Sequence, residues 1–399
     1  MMDKKIWLAA LAALATGGVH AADVQINGAV DTFVAVNHTE SIGYASAISS
    51  GGVNATHFGI KGSEDIAPGL QAFFALDSAV YSDTGTFATG SGANGLFNRE
   101  ANVGLRGAFG SISFGRQYTP HFLTFLFYDP TGLSIGSSYS GNFMAGPAST
   151  CGDQGELVRH DNSVSYVLPT SFGLTNFLYA ALGETTKSNG STSSTTGNIY
   201  NYAAKYDNGP FSAMASYLWQ KNVSLASISK QGIAGAENYK VQYFNFSMSY
   251  DFGVTKPVVQ FEKKWVSSEG KNQWTDASGE KRGSDEFWLA QIGTSTPVFG
   301  GLWMVSASYL KNQTRDDADS WGVGTKFNYP LSKRTRLYAG IQAIFNEDKA
   351  GYQVEAGPDS SLHFNFDNSN MITGNGFGVP DSCLGKNVQT FFMGISHEF

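Results

Sequence analysis

Charged residues are scarce in this 399-residue chain, at 15%, and no long apolar runs take their place. Soluble domains carry nearer a quarter charged residues, and a soluble chain this long usually divides into several units, so an ordinary soluble protein fits poorly. After Ala21 no apolar run approaches the roughly twenty residues that a helix needs to cross a bilayer. Basic runs are missing as well, and the net charge is −7, which argues against a nucleic-acid partner. The seven His and two Cys show neither HxxxH nor CxxC spacing, so no metal site has a local signature, and no nucleophile motif is present. Gly90, Gly92 and Gly95 spell GxGxxG, but no strand–helix unit surrounds them, so neither a nucleotide nor any other cofactor is expected.

What is abundant points elsewhere. The chain holds 47 Gly, 18 Tyr and 29 Phe at a mean hydropathy of −0.17. Many aromatics with a neutral average is the profile of a transmembrane β-barrel, whose strands show one apolar face to lipid and one polar face to a wet lumen. Met1 to Ala21 reads as a secretory signal: Lys4 and Lys5 are its positive region, Ile6 to Ala15 its apolar run, and Val19, His20 and Ala21 its cleavage site. The apolar run is about half the length of a membrane span. Residues 22–399 then read as a single barrel domain.

Period-two alternation supports this. Phe244, Phe246, Met248 and Tyr250 share one parity, and Asn245, Ser247, Ser249 and Asp251 the other. Tyr200, Tyr202, Ala204 and Tyr206 alternate with Asn201, Ala203, Lys205 and Asp207. At the C-terminus Phe391, Met393, Ile395, His397 and Phe399 form a less clean face. The pattern predicts an all-β fold, a sixteen-stranded antiparallel transmembrane β-barrel in which short turns alternate with long loops. Short turns are expected near Ile66–Gly69, Ala108–Gly110, Thr170–Gly173, Asn208–Pro210, Phe252–Val254, Pro297–Gly300 and Pro330–Arg334. Long loops are expected near Thr39–Val53, Asp83–Leu96, Tyr118–Val158, Thr186–Gly197, Ser224–Glu237, Ser268–Asp285, Gln313–Ala318 and Asp348–Lys386.

One long loop is unusual. Tyr118 to Val158 contains no Lys or Arg, yet carries Phe122, Leu123, Phe125, Leu126, Phe127, Tyr128, Tyr139 and Phe143. Loops of this length are functional or disordered, and so many apolar groups are too many for a segment that stays solvated. It is expected to pack inside the barrel.

Several short runs resemble the Gram-negative general porins of the betaproteobacterial and neisserial type: Gly59 to Asp65 (GIKGSED), Asn98 to Leu105 (NREANVGL), Gly115 to Thr119 (GRQYT), Asp161 to Val164 (DNSV), Tyr329 to Thr335 (YPLSKRT) and Gly394 to Phe399 (GISHEF). In this order they span the whole chain after the signal. The resemblance implies a homotrimer of sixteen-stranded barrels with the third loop folded into each lumen. It places the trimer in the outer membrane of a Gram-negative bacterium, among lipid and lipopolysaccharide, as a passive diffusion pore for small hydrophilic solutes and ions. It also implies that the ending from Gly394 to Phe399 is read by the outer-membrane assembly machinery.

Such a pore sieves by diameter and by the field across its narrowest point. The inner loop offers acids only, Asp129, Asp153 and Glu156, and Asp129 with Pro130 resembles the family's Asp-Pro motif. Opposite it, Arg99 sits where the resemblance places an inward arginine. Strand parity puts His57 and Lys61 inside, and puts Arg159 with Asp161 and Ser163 on the inner face. Lys205 and Arg336 also fall on polar parities, and Asp31 and Asp77 would temper the basic arc. Where many relatives have arginine, this chain has His57, and an imidazole of ordinary pKa near 6.5 is mostly neutral at pH 7. The constriction is therefore expected to favour anions less than its relatives do and to respond more to pH. Arg116 shares the parity of Ile112 and Phe114 and points outward, where the resemblance implies a trimer contact. Cys151 and Cys383 would meet an oxidising compartment after export, and sequence leaves open whether their Cα atoms come within the roughly 7 Å a disulfide requires.

Two other classes remain at this point. A barrel enzyme would hydrolyse lipid when purified. An adhesin-like secreted β protein would dissolve without detergent and make no channels, but it gives no reason for so much aromatic surface, including Trp219, Trp265, Trp288 and Trp303 near strand ends or interiors.

Overall fold

A computed structural model describes residues 23–40, 43–88, 95–138, 158–183, 198–223, 239–268, 274–275, 281–282, 284–314, 316–352, 354 and 385–399. The strands run β1 (Asp23–Thr39), β2 (Gly43–Ser50), β3 (His57–Ala67), β4 (Leu70–Ala79), β5 (Glu100–Gly107) and β6 (Gly110–Tyr118), followed by helix α1 (Pro120–Tyr128). After it come β7 (Arg159–Val167), β8 (Leu174–Ala181), β9 (Ile199–Asn208), β10 (Phe211–Val223), β11 (Tyr239–Tyr250) and β12 (Lys256–Ser268). A small hairpin, β13 (Trp274–Thr275) with β14 (Lys281–Arg282), precedes β15 (Ser284–Val298), β16 (Gly301–Asn312), β17 (Ser320–Pro330), β18 (Thr335–Asn346) and β19 (Val388–Glu398).

All but the small hairpin form one antiparallel sheet of seventeen segments. β1 pairs with β2 along its upper half and with β3 along its lower half, so these two share one position in the wall and the barrel has sixteen staves. β19 closes the circle against β1 from Ala29↔Glu398 to Thr39↔Val388. Beyond that ladder the amides of Gly28 and Phe399 each donate to the other's carbonyl, at 3.2 and 3.0 Å. Closure leaves no sheet edge, the condition for a sheet to sit in hydrocarbon.

Alternation decides which side chains face lipid. In β11, Phe244, Phe246, Met248 and Tyr250 are exposed on the outside, while Asn245, Ser247 and Ser249 are buried inside. β19 repeats this with Phe391, Met393 and Ile395 outside and Thr390 and Ser396 inside, and its parity is mixed because Phe392 is also buried inside, against Tyr338. The short turns fall where sequence put them; Phe299 and Gly300, both at positive φ, link β15 to β16.

The first long loop differs from expectation. Gly43–Ser50 is strand, paired with β1 from Thr32↔Ser50 to Thr39↔Gly43. The wall is broken instead at residues 51–56, where the chain bends toward the interior; a bend held by side-chain hydrogen bonds leaves no hydrophobic pattern to read.

The third loop opens with α1. Thr119 caps it, its Oγ1 accepting from the Phe122 amide at 3.0 Å, and Pro120 occupies the first turn. The helix lies against the inner face of β8 to β12. Phe122, Phe125 and Tyr128 are buried there, contributing on the order of 2 kcal/mol each.

Candidate functional site

Inward-facing polar residues hold α1 to the wall. The His121 amide donates to Asn201 Oδ1 at 2.7 Å, its Nδ1 lies 2.8 Å from Ser216 Oγ, and its Nε2 lies 3.4 Å from Glu262 Oε2. Both His121 and Glu262 are fully buried. Farther along, Gln260 donates to the Phe125 carbonyl at 3.3 Å, and the hydroxyls of Tyr128 and Ser212 meet at 2.6 Å.

Beyond the helix, residues 129–138 cross to the far wall along inward rungs of the sheet. Gly293, Ser306, Gly324, Gln342, Thr390 and Asn37 form one such rung from β15 round to β1. The Gly136 amide donates to Gln342 Oε1 at 3.0 Å and the Ser138 amide to Ser306 Oγ at 2.8 Å, while Ser308 Oγ donates to the Ser138 carbonyl at 2.7 Å. A Cβ at Gly324 would collide with the Gly136 carbonyl, and one at Gly293 with the Pro130 ring; glycine in these strands marks where another backbone comes close.

Asp129 is the hub of this segment. Its Oδ1 accepts from the amides of Thr131 (2.8 Å) and Leu133 (3.1 Å) and from Thr131 Oγ1 (2.5 Å). Its Oδ2 accepts from Ser137 Oγ (2.5 Å) and Gln291 Nε2 (3.0 Å). The residue is 6% exposed. The expectation of an acid facing the pore is therefore corrected: the carboxylate is enclosed by the turn it organises. Lys326 lies beside it, buried, donating to Ser134 Oγ and to the Thr131 carbonyl at 3.4 Å, within the field of Asp129 and Asp31. Asp153 and Glu156 lie outside the described residues.

At the root of the loop, Tyr118 gathers two arginines. Its hydroxyl accepts from Arg99 at 3.0 Å and from Arg159 at 2.8 Å, and the Arg159 guanidinium sits 4.5 Å from the ring centroid. Arg99 also pairs with Asp77 at 3.2 Å, and Glu100 shares the face of Asp77. Arg159 is 4% exposed. Simple parity does not carry across β7, because Asn162 has φ 52° and the β6–β7 register shifts between Gly115 and Gln117; the contact with Tyr118 sets the direction of Arg159 instead.

Lys61 is exposed on the inner face, opposite Gln25 and Ala75. His57 shares the inner face with Ala29 and is half-buried, its Nδ1 2.7 Å from the Ala55 carbonyl. Lys205 pairs with Asp207, and Arg336 with Glu398. Arg116 does face outward: register carries its face through Ala101, Leu76 and Ile60 to the exposed Ile26. There it meets Asp161 at 2.8 Å and the Asn98 carbonyl at 2.7 Å. Gly394 packs where a Cβ would strike Tyr338 and Phe33, and the Phe399 ring covers Gly28. Cys151 and Cys383, and the signal segment 1–21, lie outside the described residues.

Sequence reading missed His121, Glu262, Lys264 and Lys326. Lys264 sits between the rings of Tyr243 (4.9 Å) and Phe287 (5.4 Å), its partners on the neighbouring strands. A signal existed for Lys326, because Gly322, Gly324 and Lys326 alternate with Trp321, Val323 and Phe327.

A closed barrel with an apolar exterior and polar interior, crossed by one of its own loops, defines a transmembrane channel. The family model described as Gram-negative porin matches residues 8–349. The chain is 30% identical over 358 residues to outer membrane porin protein 32 of Delftia acidovorans, covering 88% of this chain and 92% of that one. Its fold resembles the anion-selective porin from Comamonas acidovorans, with TM-score 0.74, 23% identity, and coverage of 95% of this chain and all of that one. It also resembles the trimer form of OmpT from Vibrio cholerae, with TM-score 0.60, 14% identity and coverage of 95% and 100%. The chain belongs to the Gram-negative porin family. It is an outer-membrane channel that solutes cross by passive diffusion, without a catalytic step.

Proposed function

We propose that this porin passes small hydrophilic solutes with a modest preference for anions, set where Arg99, Arg159 and Lys61 meet the lumen. The pair of guanidiniums on the Tyr118 hydroxyl carries this reading. Asp77 and Glu100 offset two positive charges, so Lys61 tips the sign. The carboxylate of Asp129 is spent on its own turn and leaves the loop's described part without a free acid to oppose them. The similar porin from Comamonas acidovorans is described as anion-selective, which supports the same sign. His57 adds positive charge only when protonated, so the preference grows as pH falls.

The working form in this proposal is a homotrimer, supported by the recorded trimer of the similar OmpT fold, with the outward Arg116 near the contact between copies. Residues 1–21 direct export, lipid and lipopolysaccharide surround the barrel, and the assembly machinery reads Gly394 to Phe399. Cys151 and Cys383 remain candidates for a bond, decided by mass analysis with and without reductant. A planar bilayer tests the selectivity: in a salt gradient, the reversal potential takes the sign of an anion-preferring pore, and Arg99→Gln with Arg159→Gln moves it toward cations. No such movement would remove these arginines from the filter.

A further inference from the structure

We propose that residues 51–56, where the wall breaks between β2 and β3, are a second internal strut of the channel, and that Asp31 is the positioning residue that sets it. The inference rests on the reading of the protein as a channel and adds a residue with no charge exposed to the pore.

A continuous ladder from Gly43 to Ala67 would satisfy every backbone group of the second stave. The chain instead leaves the ladder at Gly51, and Asp31 on β1 takes up the amides released. Its Oδ1 accepts from the Gly52 amide at 2.9 Å, and its Oδ2 from the amides of Val53 and Asn54, both at 3.0 Å. The Gly51 amide bonds the Asp31 carbonyl at 3.1 Å, and Thr56 Oγ1 bonds both the carbonyl and the amide of Asp31, at 2.9 and 3.0 Å. From the neighbouring staves, Tyr338 donates its hydroxyl to Asp31 Oδ1 at 2.5 Å. Asp31 is 0% exposed. An anion with three consecutive amides converging on it is a strong local clamp.

The clamp has an output. Held in this way, the bend aims the Gly52 carbonyl at the third loop, where it accepts from the Ile135 amide at 2.9 Å. The Ile135 side chain, fully buried, wedges among Phe33, Tyr338, Phe392 and Val53, the last from the bend itself. Gly52 cannot carry a side chain here, because a Cβ would collide with the Tyr338 hydroxyl and the Phe33 ring. Tyr338 thus touches the clamp, the bend and the wedge together. The farthest point of the loop's reach across the lumen is fixed by this strut as well as by the wall, and pore width follows from Asp31 through Gly52 to Ile135.

The test is Asp31→Asn, in which one acceptor becomes a donor facing two amides, with Tyr338→Phe as a milder variant that removes only the hydroxyl. The trimer or monomer is purified folded, shown by heat-modifiable gel mobility, and recorded in planar bilayers of phosphatidylcholine in potassium chloride. The strut predicts a raised single-channel conductance and the replacement of one level by flicker among several, larger for Asp31→Asn than for Tyr338→Phe. A role in barrel stability alone would lower the unfolding temperature and leave the open level unchanged. A second readout uses Ile135→Cys with both native cysteines changed to serine. Its thiol should resist a charged methanethiosulfonate reagent, and adding Asp31→Asn should expose it. If Asp31→Asn does not fold, Tyr338→Phe decides. An unchanged level and an unlabelled thiol in folded variants overturn the proposal. Absence of any channels from the unaltered protein would instead overturn the channel reading.

Discussion

Replacing Asp129 with alanine removes the acceptor of five hydrogen bonds from one turn. The hydroxyls of Thr131 and Ser137 can rotate to other acceptors, and the Gln291 amide keeps Ser138 Oγ at 3.1 Å. The amides of Thr131 and Leu133 have no such freedom. Each buried donor left unmade costs about 1 to 3 kcal/mol, so the turn loses about 2 to 6 kcal/mol. Helix α1 keeps its own hold, since burial of Phe122, Phe125 and Tyr128 is worth about 6 kcal/mol in sum. The expected result is a loop released over residues 129–138 and still docked over 120–128, in a barrel whose ladder is intact. Single-channel recordings should show a noisier and larger open level for Asp129→Ala. Asp129→Asn should stay close to the unaltered level, because an amide retains one acceptor and Gln291 can turn its own oxygen, unbonded and buried, toward the new donor. If both variants give quiet channels that differ only in reversal potential, Asp129 is a pore-facing acid after all and its enclosure by the turn is refuted.

Further outcomes follow from the same contacts. His121→Ala leaves the buried Glu262 without its imidazole, a loss of about 3 to 5 kcal/mol for a broken buried pair, so the urea midpoint read by gel mobility should fall. Gly28→Ala forces a methyl against the Phe399 ring and the His57 carbonyl; overpacking of this kind costs about 1 to 3 kcal/mol, and refolding into detergent should slow. Gly324→Ala meets the backbone of Gly136, which cannot rotate away, and should displace the loop and change conductance without moving the unfolding temperature of the barrel much. For the unaltered protein, the reversal potential in a salt gradient should be more anion-favouring at pH 5 than at pH 8, and His57→Gln should abolish the difference.

The wall was legible because its signal is local. Every inward and outward residue from Phe244 to Asp251 follows from two-residue periodicity, and turns such as Phe299–Gly300 announce themselves by composition. The loop's destination was legible too, from its excess of aromatics. What stayed hidden depends on side chains meeting across distant strands. Parity shows that Glu262, Lys264 and Lys326 face inward, but only α1 and residues 129–138, lying on top of them, turn lumen-facing groups into buried anchors. Asp31 has the same parity as any polar lumen residue, and nothing near it in the chain reveals that it replaces a stretch of ladder twenty residues later. Around Arg159 alternation loses its footing for a related reason: one residue at positive φ, Asn162, shifts the count on which it relies.

The central claim is a water-filled barrel narrowed by a loop bonded across its own interior. Purified protein in a planar bilayer with a tenfold gradient of potassium chloride tests it most directly. The account predicts discrete conductance steps, grouped in threes for the trimer, and a reversal potential of anion-preferring sign. Steps as large as an unobstructed sixteen-stranded barrel would give, or a membrane that stays silent, would contradict it.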